Sequence, residues 1–457
     1  MRRHPTAQAL LPAAMLLAGC GSPTVVLIDA GPGWSDAISP VDLGPDIDIL
    51  FVIVNSGTML EEQQSLAASL PRFIDVLEAI EGGLPNVNIG VISTDVGAGP
   101  FPITACTGNG DNGALLSTRG EAAPVGCTGP SGAFIQDWDD GAGGRIRNYD
   151  TTQGLAATFS CIAQLGITGC GFEQPLESMR RALDGSVAGN AGFLRTDAHL
   201  AVIFIADEDD CSAWDTGMFD TASTTVSDPL GPLSSYRCFE YGVDCAIGND
   251  DRRTPGPRMD CGPRVDSPYM FHTDEYVTFL GGLKDDPGQI IVAGIIGDPT
   301  PVAVGADPET GNPQLAPSCV SAAGEASPGV RLGHFVDAFA PHSVVNTICN
   351  EDLSDALILS GLTIIRAMGH PCVERDIDLD GTTAGVQYQS EAADVQFAGE
   401  ANQQVTPLAE CNAGRTNIPC WYLYADSTVC GGLMLGVERD GAQPPPDTRV
   451  RLRCLVP

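Results

Sequence analysis

Basic side chains are scarce in this sequence, which contains a single lysine, Lys284, among its 457 residues. Lysine and arginine together number 23, against 58 aspartates and glutamates, and the formal net charge is −35. Such a chain repels the phosphates of nucleic acids, so we expect no nucleic acid among its partners. The acidic balance fits cation binding or simple solubility.

The sequence also lacks the motifs that mark common active sites. It has no G-x-S-x-G elbow, no H-E-x-x-H helix and no phosphate-binding Gly-Lys-Ser/Thr loop. The six histidines are scattered and no C-x-x-C pair occurs, which argues against a zinc site. Glu173 and Glu177 share one face of a predicted helix, where we assign them a capping or solvated role. We therefore do not expect an enzyme.

Long hydrophobic runs are absent, and the apolar run at residues 9–18 is too short to span a bilayer. With the two arginines before it, this run predicts a signal peptide over residues 1–19. Leu17-Ala18-Gly19-Cys20 resembles the lipobox of bacterial lipoproteins. The resemblance implies a membrane attachment through lipid on Cys20, in the bacterial cell envelope. Because Gly21 follows the cysteine, it implies the outer membrane, facing either the periplasm or the surface.

Cysteine, in contrast, is abundant, with 16 in the chain. In an exported protein this abundance predicts disulfide bonds. If one of the 16, Cys20, carries lipid, fifteen remain, so at least one cysteine has no partner within the chain. Cys106 and Cys127 lie in one loop-rich segment and are predicted to form a local disulfide.

Apolar strands alternate with amphipathic helices through most of the chain. Buried strands are predicted over residues 47–54, 86–94, 199–206 and 289–297. Helices are predicted from Leu60 onward and over residues 173–183, 275–284, 332–340 and 353–368. This alternation predicts an α/β fold with a doubly wound, mostly parallel sheet of the Rossmann-like kind.

The composition divides the chain into four parts. After the signal peptide, residues 20–45 form a predicted lipid-anchored linker. Residues 46–370 form the α/β domain, with loop insertions over 98–150, 207–270 and 298–331 that we expect disulfides to hold. The cysteine-rich residues 371–457 are predicted to form a small β module or an extension of the domain.

The loop after the first predicted strand reads Val54-Asn55-Ser56-Gly57-Thr58. Ligands of open α/β sheets bind at the carboxyl ends of the strands, where this loop lies. The strand, loop and following helix resemble the von Willebrand factor type A (vWA) family of the bacterial lipoprotein type. That family has Asp-x-Ser-x-Ser in this loop, and its two hydroxyls bind a divalent cation. Here Ser56 and Thr58 match the hydroxyl positions, and Val54 replaces the leading acid.

The resemblance implies a site for Mg²⁺ or another divalent cation, with metal ligands from three loops. Ser56 and Thr58 would come from the first loop, Thr168 from the second, and Asp207 from the end of the strand over residues 199–206. Asp95, Glu208 or Asp209 could supply the charge missing at position 54, and Asp95 is favoured because its strand should neighbour the first one. The alternative is that Ser56 and Thr58 only cap the following helix.

A second, weaker calcium candidate lies at residues 376–381, where Asp376, Asp378, Asp380 and a glycine begin like an EF-hand loop. The twelfth position is Gln387 instead of the usual glutamate, so an acidic linker is the alternative interpretation. Taken together, the patterns predict an envelope-anchored binding or adhesion lipoprotein. Its ligand would be a protein or a polysaccharide, engaged through a degenerate divalent-cation site. The alternative is a metal-free structural or assembly scaffold of the cell envelope.

Overall fold

The computed structural model describes residues 34–40, 46–78, 84–140, 142–247, 252–322, 324–368, 372–373, 390–396, 403–425, 433–439 and 448–455. These residues fall into two compact units. The larger unit lies within Leu43–Gly369, and the smaller one combines described residues of Met1–Asp42 and His370–Pro457.

The strands of the described residues, in chain order, are β1 (Trp34–Pro40), β2 (Asp46–Ile53), β3 (Asn86–Ser93), β4 (Ile135–Asp139), β5 (Arg145–Arg147), β6 (His199–Ala206), β7 (Val243–Ile247), β8 (Gly256–Pro263), β9 (Ile290–Ile296), β10 (Val302–Ala306), β11 (Pro313–Leu315), β12 (Cys319–Val320), β13 (Glu325–Ala326), β14 (Ser343–Thr347), β15 (Cys372–Val373), β16 (Ser390–Gln396), β17 (Gln404–Glu410), β18 (Cys420–Ala425), β19 (Leu433–Glu438) and β20 (Thr448–Leu455). The α-helices are α1 (Leu60–Glu78), α2 (Leu155–Ala163), α3 (Pro175–Leu183), α4 (Tyr236–Gly242), α5 (Thr273–Gly281), α6 (Val330–Asp337) and α7 (Ser354–Ala367). Short 3₁₀ helices cover Ala188–Asn190, Thr216–Phe219 and Pro287–Gln289.

The larger unit is built on a seven-stranded sheet with the order β14-β9-β6-β2-β3-β4-β5. The first five strands in this order run parallel, and β4 and β5 add antiparallel pairs at one edge. Strand β2 is central because its apolar run is buried on both faces, as parallel strands between helices require. Ile49 pairs with Ile89 of β3 and with Ala201 of β6, which brings the carboxyl ends of the three strands to one edge.

Six of the described α-helices of this unit form two groups, and α4 lies apart from both, against β7 and β11. Helix α1 packs against α2 and α7, whereas α5 packs against α3 and α6. The apolar stripe of α1 buries Leu66, Leu70, Phe73 and Leu77. The ring of Phe51 on β2 lies 5.5 Å from that of Phe73 and 4.5 Å from that of Phe159 on α2. These contacts hold α1 and α2 against β2.

The chain is therefore mixed α/β with several sheets. The finer prediction of a doubly wound, mostly parallel sheet is not shown in that form, because antiparallel strands extend one edge and further antiparallel sheets accompany it. Residues of the predicted insertions 207–270 and 298–331 meet in a four-stranded sheet with the order β11-β10-β8-β7. The 98–150 segment supplies β4 and β5 to the main sheet. These short strands depend on partners distant in sequence, so the local pattern did not reveal them.

Six disulfides are formed among the described residues: Cys106–Cys170, Cys127–Cys161, Cys211–Cys238, Cys245–Cys261, Cys319–Cys349 and Cys411–Cys420. The predicted local pair of Cys106 and Cys127 was wrong. The loop-rich segment folds back onto α2 and the loop after it, so each cysteine pairs with one from that region. This number of disulfides is typical of a protein outside the reducing cytoplasm, at a surface or extracellular location.

The smaller unit contains a seven-stranded sheet with the order β1-β20-β16-β17-β18-β19-β15. Its pairs are antiparallel except for β17 with β18. Strand β1 lies within residues 20–45, which the sequence analysis assigned to a linker. It pairs with β20 over seven register positions, from Trp34 opposite Leu455 to Pro40 opposite Arg449. Part of that segment therefore belongs to a sheet.

Candidate functional site

The predicted hydroxyls and Asp207 meet at the carboxyl edge of the central sheet. Ser56 and Thr58 follow β2, and their hydroxyl oxygens lie 3.3 Å apart. Asp207 follows the neighbouring strand β6, and its Oδ2 accepts a hydrogen bond from the Thr58 hydroxyl. The backbone N–H of Val54 donates to the carbonyl of Ile205 at 3.0 Å, which keeps the two strand ends in register. Three residues singled out in the sequence are therefore in direct contact.

Glu173 also belongs to this site, although the sequence analysis gave it a capping or solvated role. It immediately precedes the N-cap of α3, its side chain is only 1% exposed, and the nearby Ser56 hydroxyl favours its ionised form. The N–H of the adjacent Gln174 donates to the carbonyl of Thr94 at 3.1 Å, so the end of β3 holds this loop in place. Glu177 faces elsewhere and binds Arg180, Arg181 and Tyr276. The two glutamates do not form an acid pair.

Two further carboxyl groups complete the site. Glu208, next to Asp207, lies close enough to Glu173 for the charge of Glu173 to help raise the pKa of Glu208. Glu62, in the first turn of α1, is 4% exposed and interacts electrostatically with Asp207. We call Glu62, Glu173, Asp207 and Glu208 the acidic cluster. Its acids come from three separate segments, the starts of α1 and α3 and the end of β6.

Burial and mutual repulsion make these carboxyls hard to ionise. Burial, followed by the charge of Asp207, raises the pKa of Glu173 to about 7. Burial also raises the pKa of Glu62 to about 7, again with a contribution from Asp207. The pKa of Asp207 is raised by burial despite the hydrogen bond from Thr58. Burial, Glu173 and Asp207 together raise the pKa of Glu208 well above its ordinary value. Ionisation of the whole cluster therefore needs a compensating positive charge.

Several oxygen atoms of the cluster have no hydrogen-bond partner. They are Oε2 of Glu62, Oε1 of Glu173 and Oδ1 of Asp207. Among the described ion pairs, none involves an acid of the cluster. Orphaned buried carboxylate oxygens are costly, and in native proteins they often mark the position of an ion or water.

The donor set decides which ion would fit. The atoms are all oxygens, two from hydroxyls and the rest from carboxylates, and such ligands suit hard cations such as Mg²⁺ and Ca²⁺. Within the described ranges, no three histidine, cysteine, aspartate or glutamate side chains are grouped so as to hold a metal ion by themselves. The hydroxyls of Ser56 and Thr58 must therefore contribute to any coordination shell. Thr58 is exposed, which leaves that side of the site open to solvent.

Thr168 and Asp95 are not brought into the cluster. The exposed hydroxyl of Thr168 donates to Glu121 at 2.9 Å, because the loop before α3 turns this side chain outward. Asp95 follows β3, but its Oδ1 accepts from the N–H of Gly97 at 2.8 Å, and its nearest charged neighbour is Asp111. The Gln63 amide holds the loops together instead, since it bonds both the carbonyl of Val54 and the backbone of Gly166.

Several predicted residues lie outside the described ranges. These are Cys20 at the lipobox and the calcium candidates Asp376, Asp378 and Asp380. Both predictions remain predictions. In the described part of the chain, no helix combines the length and the apolar character needed to cross a membrane.

Comparison with known proteins gives no assignment. No protein-family model and no curated protein matches the chain. Among solved structures, the pilus adhesin SpaC from Lactobacillus rhamnosus GG in its open conformation aligns at 12% identity and a TM-score of 0.31, over 93% of this chain and 41% of SpaC. The pilus adhesin RrgA from Streptococcus pneumoniae aligns at 9% identity and a TM-score of 0.30, over 92% of this chain and 58% of RrgA. The adhesive tip pilin GBS104 from Group B Streptococcus agalactiae aligns at 11% identity and a TM-score of 0.31, over 92% of this chain and 82% of GBS104. At these values the similarities carry no argument about fold or function.

Proposed function

We propose that this chain is an exported, envelope-anchored binding protein of the vWA type. Its larger unit would hold a divalent cation between Ser56, Thr58, Asp207 and Glu173, and the cation would complete its shell with an oxygen of a protein or polysaccharide ligand. In this proposal the chain is a binding module and not an enzyme, and lipid on Cys20 attaches it to the membrane.

The observation that carries the proposal is the convergence of orphaned, buried carboxylate oxygens with a pair of hydroxyls at an open strand edge. Oε1 of Glu173 and Oδ1 of Asp207 have no partner, while Thr58 remains exposed. A cation would satisfy both oxygens and offset their repulsion, and a ligand could reach it from the side of Thr58. Glu173 would provide the charge that Val54 cannot.

Calorimetry on the full chain tests the cation site. After treatment with EDTA and desalting, the protein is titrated with Ca²⁺ or Mg²⁺ alone. Asp207→Asn should lower the affinity for the bound cation more than 10-fold, because losing a carboxylate that only supports a ligand already costs about 10–100-fold. Asp95→Asn is the matched control, since it removes an acid from the neighbouring strand end, and it should leave the affinity within about 3-fold of wild type.

The alternative scaffold makes a different prediction. If the wild-type protein binds neither cation at millimolar concentration, the cation-dependent function is excluded. The alternative function, a metal-free scaffold of the cell envelope, is then favoured. Loss of binding in Asp95→Asn but not in Asp207→Asn would move the site to the end of β3. A panel of envelope polysaccharides and proteins, applied with Ca²⁺, with Mg²⁺ or with EDTA, then separates cation-mediated capture from capture by the disulfide-held loops.

A further inference from the structure

An open cleft of about 650 Å³ lies beside β4 and β5, at the antiparallel edge of the main sheet. Its lining residue Asp137 lies opposite Val87, at the amino end of β3, whereas Ser56 and Thr58 follow the carboxyl end of the neighbouring β2. Most of the eight-residue strand β3 separates the two places, which is about 20 Å at ~3.3 Å per residue. The volume is in the range of about 300–1,000 Å³ that is typical of ligand pockets.

The alternation of side chains along the two strands gives the cleft a charged wall. Arg145 and Arg147 are two residues apart on β5, so they share one face of the sheet. Arg147 lies opposite Asp137 of β4, and Arg145 lies opposite Asp139. Both arginines and both aspartates line the cleft, which places donors and acceptors for hydrogen bonds side by side.

Asp137 anchors this wall. It is only 1% exposed, and its carboxylate accepts hydrogen bonds from Nε of Arg145, from Nε of Arg147 at 3.0 Å and from the hydroxyl of Tyr149 at 2.5 Å. Hydrogen bonds to an ionised group are stronger than those between neutral groups, so the three donors are held firmly. Arg147 and Tyr149 are therefore fixed in place where they line the cleft.

The two arginines have different roles. Arg145 donates to the protein through all three of its nitrogens, since Nη1 bonds the carbonyl of Leu84 at 2.7 Å and Nη2 bonds those of Pro85 and Asp137 at 2.8 Å. In the described hydrogen bonds, Arg147 donates only through Nε, and its side chain is 35% exposed. An arginine that only neutralises a carboxylate commonly places its fork across both oxygens. The terminal amino groups of Arg147 are thus available to a molecule in the cleft.

The opposite wall adds an acceptor and apolar surface. Glu78, exposed at the end of α1, lines the same cleft as Arg147. Hydroxyl groups both donate and accept hydrogen bonds, so a molecule that carries several of them can bind both side chains at once. The ring of Tyr149 and the side chains of Leu84 and Leu155 also line the cleft. The C–H faces of a sugar ring can pack against such apolar surfaces.

Charge disfavours an anionic occupant. Three acids and two arginines line the cleft, and the whole chain has a net charge of −35, so a phosphate or carboxylate ligand would be repelled. An extended peptide usually binds by adding a strand to the edge of a sheet. Strand β5 has only three residues, so it offers few main-chain hydrogen bonds for that purpose. The lining fits a neutral, hydroxyl-rich ligand best.

We propose that this cleft binds a neutral saccharide and that Arg147 and Glu78 hold its hydroxyl groups without a cation. The inference rests on the proposed binding function and deepens it, because it selects polysaccharide from the two ligand classes left open. It also adds a contact remote from Ser56 and Thr58, so one glycan chain or two separate chains could occupy the two places.

Calorimetry on the full chain in EDTA tests the cleft with four neutral probes: cellohexaose, maltohexaose, mannohexaose and N-acetylchitohexaose. The wild type should bind at least one of them at millimolar concentration. Arg147→Gln should lower that affinity about 10-fold or more, the loss expected when hydrogen bonds from a charged donor are removed. Arg147→Lys should weaken binding as well, because lysine keeps the charge but lacks the fork. Arg119→Gln is the matched control and should leave the affinity unchanged, since it removes the same charge from an exposed side chain outside the cleft.

Glu78→Gln tests the opposite wall. This variant leaves Asp137 and its three donors untouched, and it should lower the affinity for the same oligosaccharide several-fold. If circular dichroism shows that the Arg147 variants are unfolded, Glu78→Gln decides the outcome, and an unchanged affinity then contradicts the inference.

Several other results would overturn the inference. The wild type could bind none of the four probes in EDTA, or a folded Arg147→Gln could bind them as the wild type does. Stronger binding of hexagalacturonate would indicate an anion site, and stronger binding of an uncharged Thr-Ala peptide would indicate a peptide groove. If the oligosaccharide binds only with Ca²⁺ or Mg²⁺ present, the inference fails and the proposed function stands. Binding in EDTA by a chain that takes up no cation would support the cleft and defeat the cation-dependent function.

Discussion

Replacing Glu173 by glutamine should stabilise the cation-free protein at neutral pH. The folded pKa of Glu173 is about 7 against an ordinary value of 4.5, because burial and Asp207 disfavour its charge. The native state therefore binds this proton more tightly than the unfolded state. Its contribution to stability is complete below pH 4.5 and is lost as the pH rises through about 7. Each pKa unit corresponds to about 1.4 kcal/mol, so the wild type should lose about 3 kcal/mol over this interval.

Glu177, one turn further along α3, provides a control of opposite sign. Burial acts to raise its pKa, but the hydrogen bonds and charges of Arg180 and Arg181 outweigh burial and lower it. This carboxylate therefore stabilises the fold above its ordinary value of 4.5 and ceases to do so as the pH falls through its lowered folded pKa. Glu177→Gln should accordingly destabilise the protein at neutral pH, and the loss should shrink in acid.

Urea unfolding in EDTA, followed by circular dichroism between pH 2 and pH 8 with disulfides intact, measures both effects. The free energy of unfolding of each variant is subtracted from that of the wild type. The resulting differences should change with pH in opposite directions for the two glutamates. Added Ca²⁺ should reverse the sign of the stability difference between the wild type and Glu173→Gln, because the cation stabilises only the wild type. A difference between Glu173→Gln and wild type that is constant with pH would refute the description of Glu173 as a buried, proton-holding carboxyl.

Two further predictions address other parts of the chain. Arg195 pairs with the fully buried Asp48 at 2.8 Å, so Arg195→Ala should lower the free energy of unfolding in urea by about 3–5 kcal/mol. Arg72→Ala removes an exposed ion pair and should lower it by less than about 1 kcal/mol. Similar losses in both variants would contradict this prediction. Cys20→Ser should transfer the full-length protein from the membrane fraction to the soluble fraction of its native cells and abolish its labelling by palmitate, and an unchanged distribution would exclude the lipid anchor.

The central strands were predictable because each is a continuous apolar run. Strand β6, His199–Ala206, has the predicted bounds, β3 differs from the prediction by one residue at one end, and β2 and β9 differ by one residue at each end. Helix α2 and the small sheet of β7, β8, β10 and β11 were missed. These elements lie among glycines and prolines. Disulfides and pairings with distant strands hold them, so their sequences show no helical or strand periodicity of hydrophobic residues.

The site was predictable where a residue type follows a strand end. Ser56, Thr58 and Asp207 were chosen through the resemblance to the vWA family, and Thr58 and Asp207 are in contact because parallel strands deliver their carboxyl ends to one edge. Glu62 and Glu173 were missed because a glutamate at a helix start normally faces water, and only the fold reveals that these two do not. Thr168 was chosen for its hydroxyl before α3, yet Glu173 is the residue at that helix start that reaches Ser56.

The nested disulfides have a consequence for biogenesis. In the exported protein that we propose, Cys106 and Cys127 would leave the export channel before Cys161 and Cys170, whereas the disulfides join the first with the last and the middle two with each other. Oxidation in order of arrival would link the first two cysteines and trap a wrong isomer. A chain trapped in this way reaches the native pairing only by exchange with another thiol, a step that a disulfide isomerase would accelerate.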